Sequence, residues 1–192
     1  LNTFRLINSR LQGHPATKEG LPGIRIASGS LGQALSVAIG AAISKKLNKD
    51  ENLIYCLCGD GELQEGQIWE AIMYAGAKEI DNLILTVDVN KQQICGSTDE
   101  ILNLGNLNQK ISAFNWNVIE ITKGNEIKNV IKGIQEAKNM TKEKKPICIL
   151  MHTEMGYGVD FMMGSHKWHG IAPNNDQLKN ALSQLEETIG DY

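Results

Sequence analysis

The sequence predicts an α/β fold, a parallel sheet with helices on both faces. Apolar runs suited to strands recur at Leu53–Cys58, Leu83–Val87, Trp116–Ile121 and Pro146–Thr153. Segments with apolar residues at helical spacing separate most of them. The last run is continuously apolar, as in a parallel sheet buried on both sides. Strand and helix alternating in this way build one parallel sheet through crossover connections.

Composition narrows the class. A chain of 192 residues bounds a single domain with a sizeable core. Its 42% hydrophobic and 21% charged content is ordinary for a globular protein. A net charge of −3 makes no case for nucleic acid or a membrane surface. No apolar run approaches the roughly 20 residues that cross a bilayer. Cys56 and Cys58 stand one residue apart, and with Cys95 and Cys148 they show no zinc spacing with histidine. Buried reduced thiols in a cytoplasmic protein are the expectation. Cys95 is the exception, because it falls in the candidate site.

The elements follow in order. Leu1 to Leu11 carries Phe4, Ile7 and Leu11 at helical spacing, and Gly13-His14-Pro15 is a turn signal. Gly29 and Gly32 mark close backbone approach. From Leu31 to about Leu47 a helix buries Leu35, Ala38, Ile39 and Ala42, with Lys45 and Lys46 in its last turn. A second helix, about Gln64 to Lys78, buries Ile68, Ala71, Ile72 and Ala75. Glu65 stands in its first turn, where a carboxylate favours a helix N-terminus, and Glu62 reads as exposed. Asn90 to Gly105 is a polar loop, and Leu107 to Phe114 reads as helical. Glu126 to Met140 is a surface helix with Ile127, Val130, Ile131, Ile134 and Ala137 inward. His152 reads as a core histidine. Glu154 to Pro173 is a long loop rich in Gly and His, a length that suggests function. His166 and His169 have metal spacing but no third ligand. Asn174 caps a final helix to about Glu187.

The centre of this order is LCGDGELQEGQIWEAIMYAGAKEIDNLILTVDVNKQQICG, Leu57 to Gly96. One strand stops at Gly59-Asp60-Gly61, the next at Asp88-Val89-Asn90. An acid and an amide therefore sit at the carboxyl ends of two parallel strands, the edge where open α/β sheets bind ligands. Mg²⁺ prefers one or two such hard oxygens together with phosphate and water. Gly59 and Gly61 let backbone N–H groups approach an anion, beside a helix N-terminus. The residues alone thus point to a Mg²⁺–diphosphate site between two βα loops.

With Asn90 thirty positions after Asp60, this stretch resembles the thiamin-diphosphate fingerprint. The wording GDGELQEGQIWEA resembles the transketolase family. PGIRIASGSLGQALSVAIGAA (Pro22 to Ala42) and GSHKWHGIAP (Gly164 to Pro173) are similar to two further transketolase segments, in the family's order. The resemblance implies the thiamin-diphosphate-binding fold. It implies that Asp60, Asn90 and the backbone carbonyl of Gln92 hold Mg²⁺, and that Gly29, Leu31, Gly59, Gly61, Glu62, Ile94 and His169 line the thiamin diphosphate. His14 and His169 would face the donor sugar as catalytic groups, and Glu65 would be an interface acid linked to a glutamate of the partner. Three departures stand out: Ser30 and Ala34 replace a Pro and a Gly, and Cys95 replaces the usual Asp.

The activity implied is transfer of a two-carbon ketol unit from a ketose phosphate to an aldose acceptor. By this resemblance the chain would correspond only to the diphosphate-binding section of a transketolase, without a sizeable upstream stretch of it. The expectation is one domain over residues 1–192, N-terminally incomplete. It would be the N-terminal subunit of a split transketolase, working with a second copy of itself and with a pyrimidine-binding C-terminal subunit. Two alternatives share the fingerprint: another thiamin-diphosphate enzyme (a xylulose-phosphate synthase or a 2-oxo-acid dehydrogenase α subunit), or a non-catalytic cofactor-binding or assembly subunit.

Overall fold

A computed structural model describes residues 2–186. Four parallel strands form the sheet: β1 (Ile54–Gly59), β2 (Leu83–Val89), β6 (Ile147–His152) and β5 (Asn117–Ile121), in the order β1-β2-β6-β5. A two-stranded antiparallel ribbon, β3 (Gln92–Gln93) with β4 (Gly96–Ser97), lies in the loop after β2. Ile84 of β2 pairs with Tyr55 of β1 and with Ile147 of β6, which sets β2 and β6 at the centre of the sheet.

One face of the sheet packs on helices α1 (Ala34–Leu47) and α2 (Gly66–Ala77), with α4 (Leu107–Ala113) beside them. Cys56, Cys58, Leu85, Val87, Cys148 and Leu150 point to that side and meet Leu35, Ile39, Ile68 and Ile72. Two side-chain bonds fix the packing: Trp116 Nε1 donates to the Ile72 carbonyl at 2.9 Å, and Asn82 Nδ2 to the Ala42 carbonyl at 2.9 Å. The other face carries Ile84, Ile119, Ile121, Ile147 and Ile149 under α5 (Ile127–Asn139). A short helix α3 (Thr98–Leu102) and a final helix α6 (Asn175–Gln184) complete the chain, the latter opened by a full capping box between Asn174 and Gln177.

Several boundaries differ from the sequence reading. Residues 2–11 form turns rather than a helix; Arg5 and Asn8 adopt φ of 62° and 66°, and Phe4 and Ile7 stay exposed. Leu1 lies outside the described residues, as does Glu187, the expected end of α6. Helix α1 begins at Ala34, because Gly29 and Gly32 hold φ of 110° and 85°. A 3-10 turn, Gly61–Gln64, precedes α2. Helix α5 turns Gly133 and Ala137 inward, while Ile127, Ile131 and Ile134 are exposed, against the expectation that all three isoleucines face the core. Gly133 explains it: a Cβ there would strike Ile121, so the helix seats on its smallest face. His152, expected in the core, is half-buried with Nε2 3.4 Å from a Glu120 oxygen.

Gly76 sits where α2 meets the turn before β5, and an added Cβ would collide with the Phe114 carbonyl oxygen. Gly76→Ala is expected to cost about 1–3 kcal/mol, read as a lowered urea midpoint; a midpoint equal to that of the parent would show that this corner gives way freely.

Candidate functional site

Strands β1 and β2 pair in parallel with Gly59 opposite Asp88, so Asp60 and Asn90 emerge together at the carboxyl edge of the sheet. A ring of hydrogen bonds closes around them. The Asp60 N–H donates to the Asp88 carbonyl at 3.0 Å. The Asp60 carboxylate accepts from the Gly61 N–H at 2.8 Å and from the Lys91 N–H at 2.6 Å. Asn90 Oδ1 accepts from the Gln92 N–H at 2.9 Å, and its Nδ2 donates to Asp88 Oδ2 at 3.2 Å. Lys91 turns the chain with φ of 59°.

Asp60 is 2% exposed. Burial pushes its carboxyl above the ordinary range; the Lys91 and Gly61 N–H groups oppose that, and the negative charge of Asp88 adds to it. Among the described residues no Lys, Arg or His pairs with it. Nor, among them, do three His, Cys, Asp or Glu side chains gather as metal ligands. What the edge offers is one buried carboxylate and one amide oxygen, the latter bonded to the Gln92 backbone N–H. That donor set suits a hard divalent cation whose remaining ligands are phosphate and water, and such a cation would relieve the buried charge.

Glu62 is the residue whose placement the sequence reading missed. Expected to be exposed, it is 8% exposed. One carboxylate oxygen accepts from the Gly32 N–H at 2.8 Å, the other from the Gly59 N–H at 3.2 Å. It ties the glycine loop before α1 to the end of β1. The 3-10 turn over Gly61–Gln64 is the reason: it directs Glu62 inward. An acid set between the glycines of two neighbouring loops was the available signal.

The remaining predicted residues fall around this edge. The His14 ring lies against Gly29, where an added Cβ would come within 2.6 Å of it. The Ser28 N–H donates to the Pro15 carbonyl at 3.1 Å, which joins the two loops. Leu31 and Ile94 are both exposed, so Ile94 is not a core residue. Glu65 is exposed at the N-cap of α2, makes no capping bond, and lies beside Gly32. His169 is exposed in a 3-10 turn, His166–His169, that packs against β3. The structure thus gathers Asp60, Gly61, Asn90 and Gln92 in one ring. It joins Gly29 to His14 and brings the His169 turn to the β3 ribbon after β2. Cys95 is exposed, while Cys56 and Cys58 are buried free thiols with sulfurs 3.9 Å apart.

Comparison with known proteins bears on the family and the fold. The family described as "Transketolase, thiamine diphosphate binding domain" matches residues 1–187. The chain is 36% identical over 188 residues to an apulose-4-phosphate transketolase subunit of Phocaeicola vulgatus, covering 98% of this chain and 65% of that protein. It is 39% identical over 165 residues to the 6-deoxy-6-sulfo-D-fructose transketolase subunit SqwG of a Clostridium species, covering 86% and 59%. The crystal structure of transketolase from Campylobacter jejuni superposes with a TM-score of 0.85 at 34% identity, over 95% of this chain and 29% of that one. The chain therefore spans less than two thirds of the length of these relatives.

Because burial raises the Asp60 titration, the stability it contributes is present below the ordinary carboxylate range and is lost as pH rises through the raised value. The metal-free chain is expected to lose stability on that rise, and Asp60→Asn to lack this component; urea midpoints measured against pH for both would show it, and parallel profiles would contradict it. Glu62→Ala leaves two backbone N–H groups without their acceptor and is expected to cost about 1–3 kcal/mol, with faster amide hydrogen exchange at Gly32 and Gly59.

Proposed function

The chain belongs to the transketolase family, and from that premise we propose that it is the N-terminal, diphosphate-binding subunit of a split, Mg²⁺-dependent transketolase. It would act with a second copy of itself and with a pyrimidine-binding subunit. The observation that carries the reading is the ring in which a buried, unpaired Asp60 and the amide of Asn90 meet at the edge of β1 and β2.

In this reading Asp60, Asn90 and the Gln92 carbonyl hold the cation. The backbone of Gly59 and Gly61 faces the diphosphate, and Glu62 keeps the Gly32 loop in register with it. When bound, thiamin diphosphate supplies the electron sink for breaking and forming a carbon–carbon bond beside a carbonyl. This chain's own part is to bind, orient and move protons. A ring nitrogen of His14, held by the Gly29 contact, serves a hydroxyl of the donor sugar. A ring nitrogen of His169, carried by the turn against β3, does the same from the other loop. Leu31 and Ile94 present apolar surface to the cofactor rings. Glu65 reaches toward the partner subunit.

Assembly is supported by apolar surface around the same helices. Val37, Met73 and Tyr74 lie exposed on α1 and α2, apolar side chains that a partner chain would cover. The relatives named as transketolase subunits support a division of the enzyme between chains. Their names refer to sugars bearing a phosphate or a sulfo group, which supports an anionic ketose as donor here. Four unpaired cysteines support a reducing, cytoplasmic setting. No described helix is long and apolar enough to cross a membrane.

The test is reconstitution. The chain alone is expected to transfer no ketol unit, and the chain purified with its partner subunit to do so from a ketose phosphate when Mg²⁺ and thiamin diphosphate are present. Asp60→Ala is expected to abolish that activity while circular dichroism reports an intact fold. Activity from the isolated chain, or full activity in Asp60→Ala, would contradict the proposal.

A further inference from the structure

Asp88 belongs to neither the metal-binding set nor the catalytic set, yet it touches the site from both sides. It lies two residues before Asn90, and alternation along an extended chain puts the two side chains on one side. Asp88 Oδ2 accepts from Asn90 Nδ2 at 3.2 Å. The other oxygen accepts from the Thr153 hydroxyl. Thr153 follows β6 directly, and its N–H donates to the Val89 carbonyl at 3.2 Å. Beyond it runs the loop that ends in the His169 turn. Asp88 is therefore held between the metal loop and the root of the histidine loop.

The chemistry of an amide gives this contact its meaning. The two ends of an Asn side chain are nearly alike in shape, and its partners decide which end faces where. Both Asp88 oxygens act as acceptors here, so the one facing Asn90 selects the NH₂ end. The Gln92 N–H only donates, so it selects the oxygen end. Both partners choose the same orientation, and in it the Asn90 oxygen stays on the Gln92 side. We propose that Asp88 is a positioning residue that sets the Asn90 amide with its oxygen toward the cation, and that Thr153 holds Asp88 for this purpose. The assignment rests on the reading of Asp60 and Asn90 as the cation site.

Three variants test it in the assembled enzyme, purified from its own host, with Mn²⁺ and thiamin diphosphate as the probe. Mn²⁺ uptake is read from the loss of the free-ion paramagnetic resonance signal, with no reference to turnover. Asp88→Ala removes the acceptor and is expected to weaken Mn²⁺ binding roughly tenfold to a hundredfold. Asp88→Asn keeps an oxygen for the Asn90 amide and an NH₂ for Thr153, and is expected to recover most of that loss. Thr153→Val is expected to weaken binding about several-fold, and it carries the test should Asp88→Ala fail to fold. Unchanged Mn²⁺ affinity in Asp88→Ala, or in Thr153→Val, overturns the assignment while leaving the cation site intact. An Asp88→Asn variant as weak as Asp88→Ala also overturns it, since charge rather than orientation would then be the cause. A parent enzyme that takes up no Mn²⁺ overturns the cation-site reading, and this assignment with it.

Discussion

The constraint on which this structure turns is a carboxylate buried at the open end of a parallel sheet. Asp60 is almost wholly removed from solvent, and only backbone N–H groups meet its oxygens. Amide dipoles soften the desolvation of an anion but do not match a full positive charge. The position is unfavourable for a residue with a purely structural task, because an apolar side chain would fill it at lower cost. Such sites persist where a ligand completes them. The parallel pairing of β1 and β2 makes the arrangement possible, since it delivers the ends of two strands to one edge.

Much of the surrounding structure serves to keep that edge in shape. Glu62 bridges the Gly32 loop and the end of β1. The positive φ at Lys91 folds the loop back so that its N–H reaches Asp60. The core beneath is conventional by comparison: α1 and α2 bury small and branched side chains against one face, and α5 seats through Gly133 on the other. Rigidity under the site and an exposed rim of Leu31, Ile94, His14 and His169 above it are the pattern expected of loops placed by a scaffold.

The strands, the two long helices against the sheet and the Asp60–Asn90 pair were legible in the sequence because their signals are local. An apolar run, a helical period and a polar residue after a strand each announce themselves within a few positions. The parts that were not legible depend on approach in space. The inward turn of Glu62 comes from a 3-10 turn ahead of α2, where no apolar period marks an inner face. The exposed isoleucines of α5 follow from contact between Gly133 and Ile121, which no pattern within the helix contains. The bonds from Asp88 to Asn90 and Thr153 join β2 to the end of β6, 65 residues apart in the second case.

The most direct test of the central claim is a crystal of the assembled protein grown with Mn²⁺ and thiamin diphosphate, with diffraction recorded for the anomalous signal of the metal. One strong peak per chain is expected, coordinated by Asp60, Asn90 and the Gln92 carbonyl, with diphosphate oxygens completing the shell. Cofactor bound with its metal elsewhere, or an Asp60 carboxylate still bonded only to backbone amides in a cofactor-loaded crystal, would contradict it.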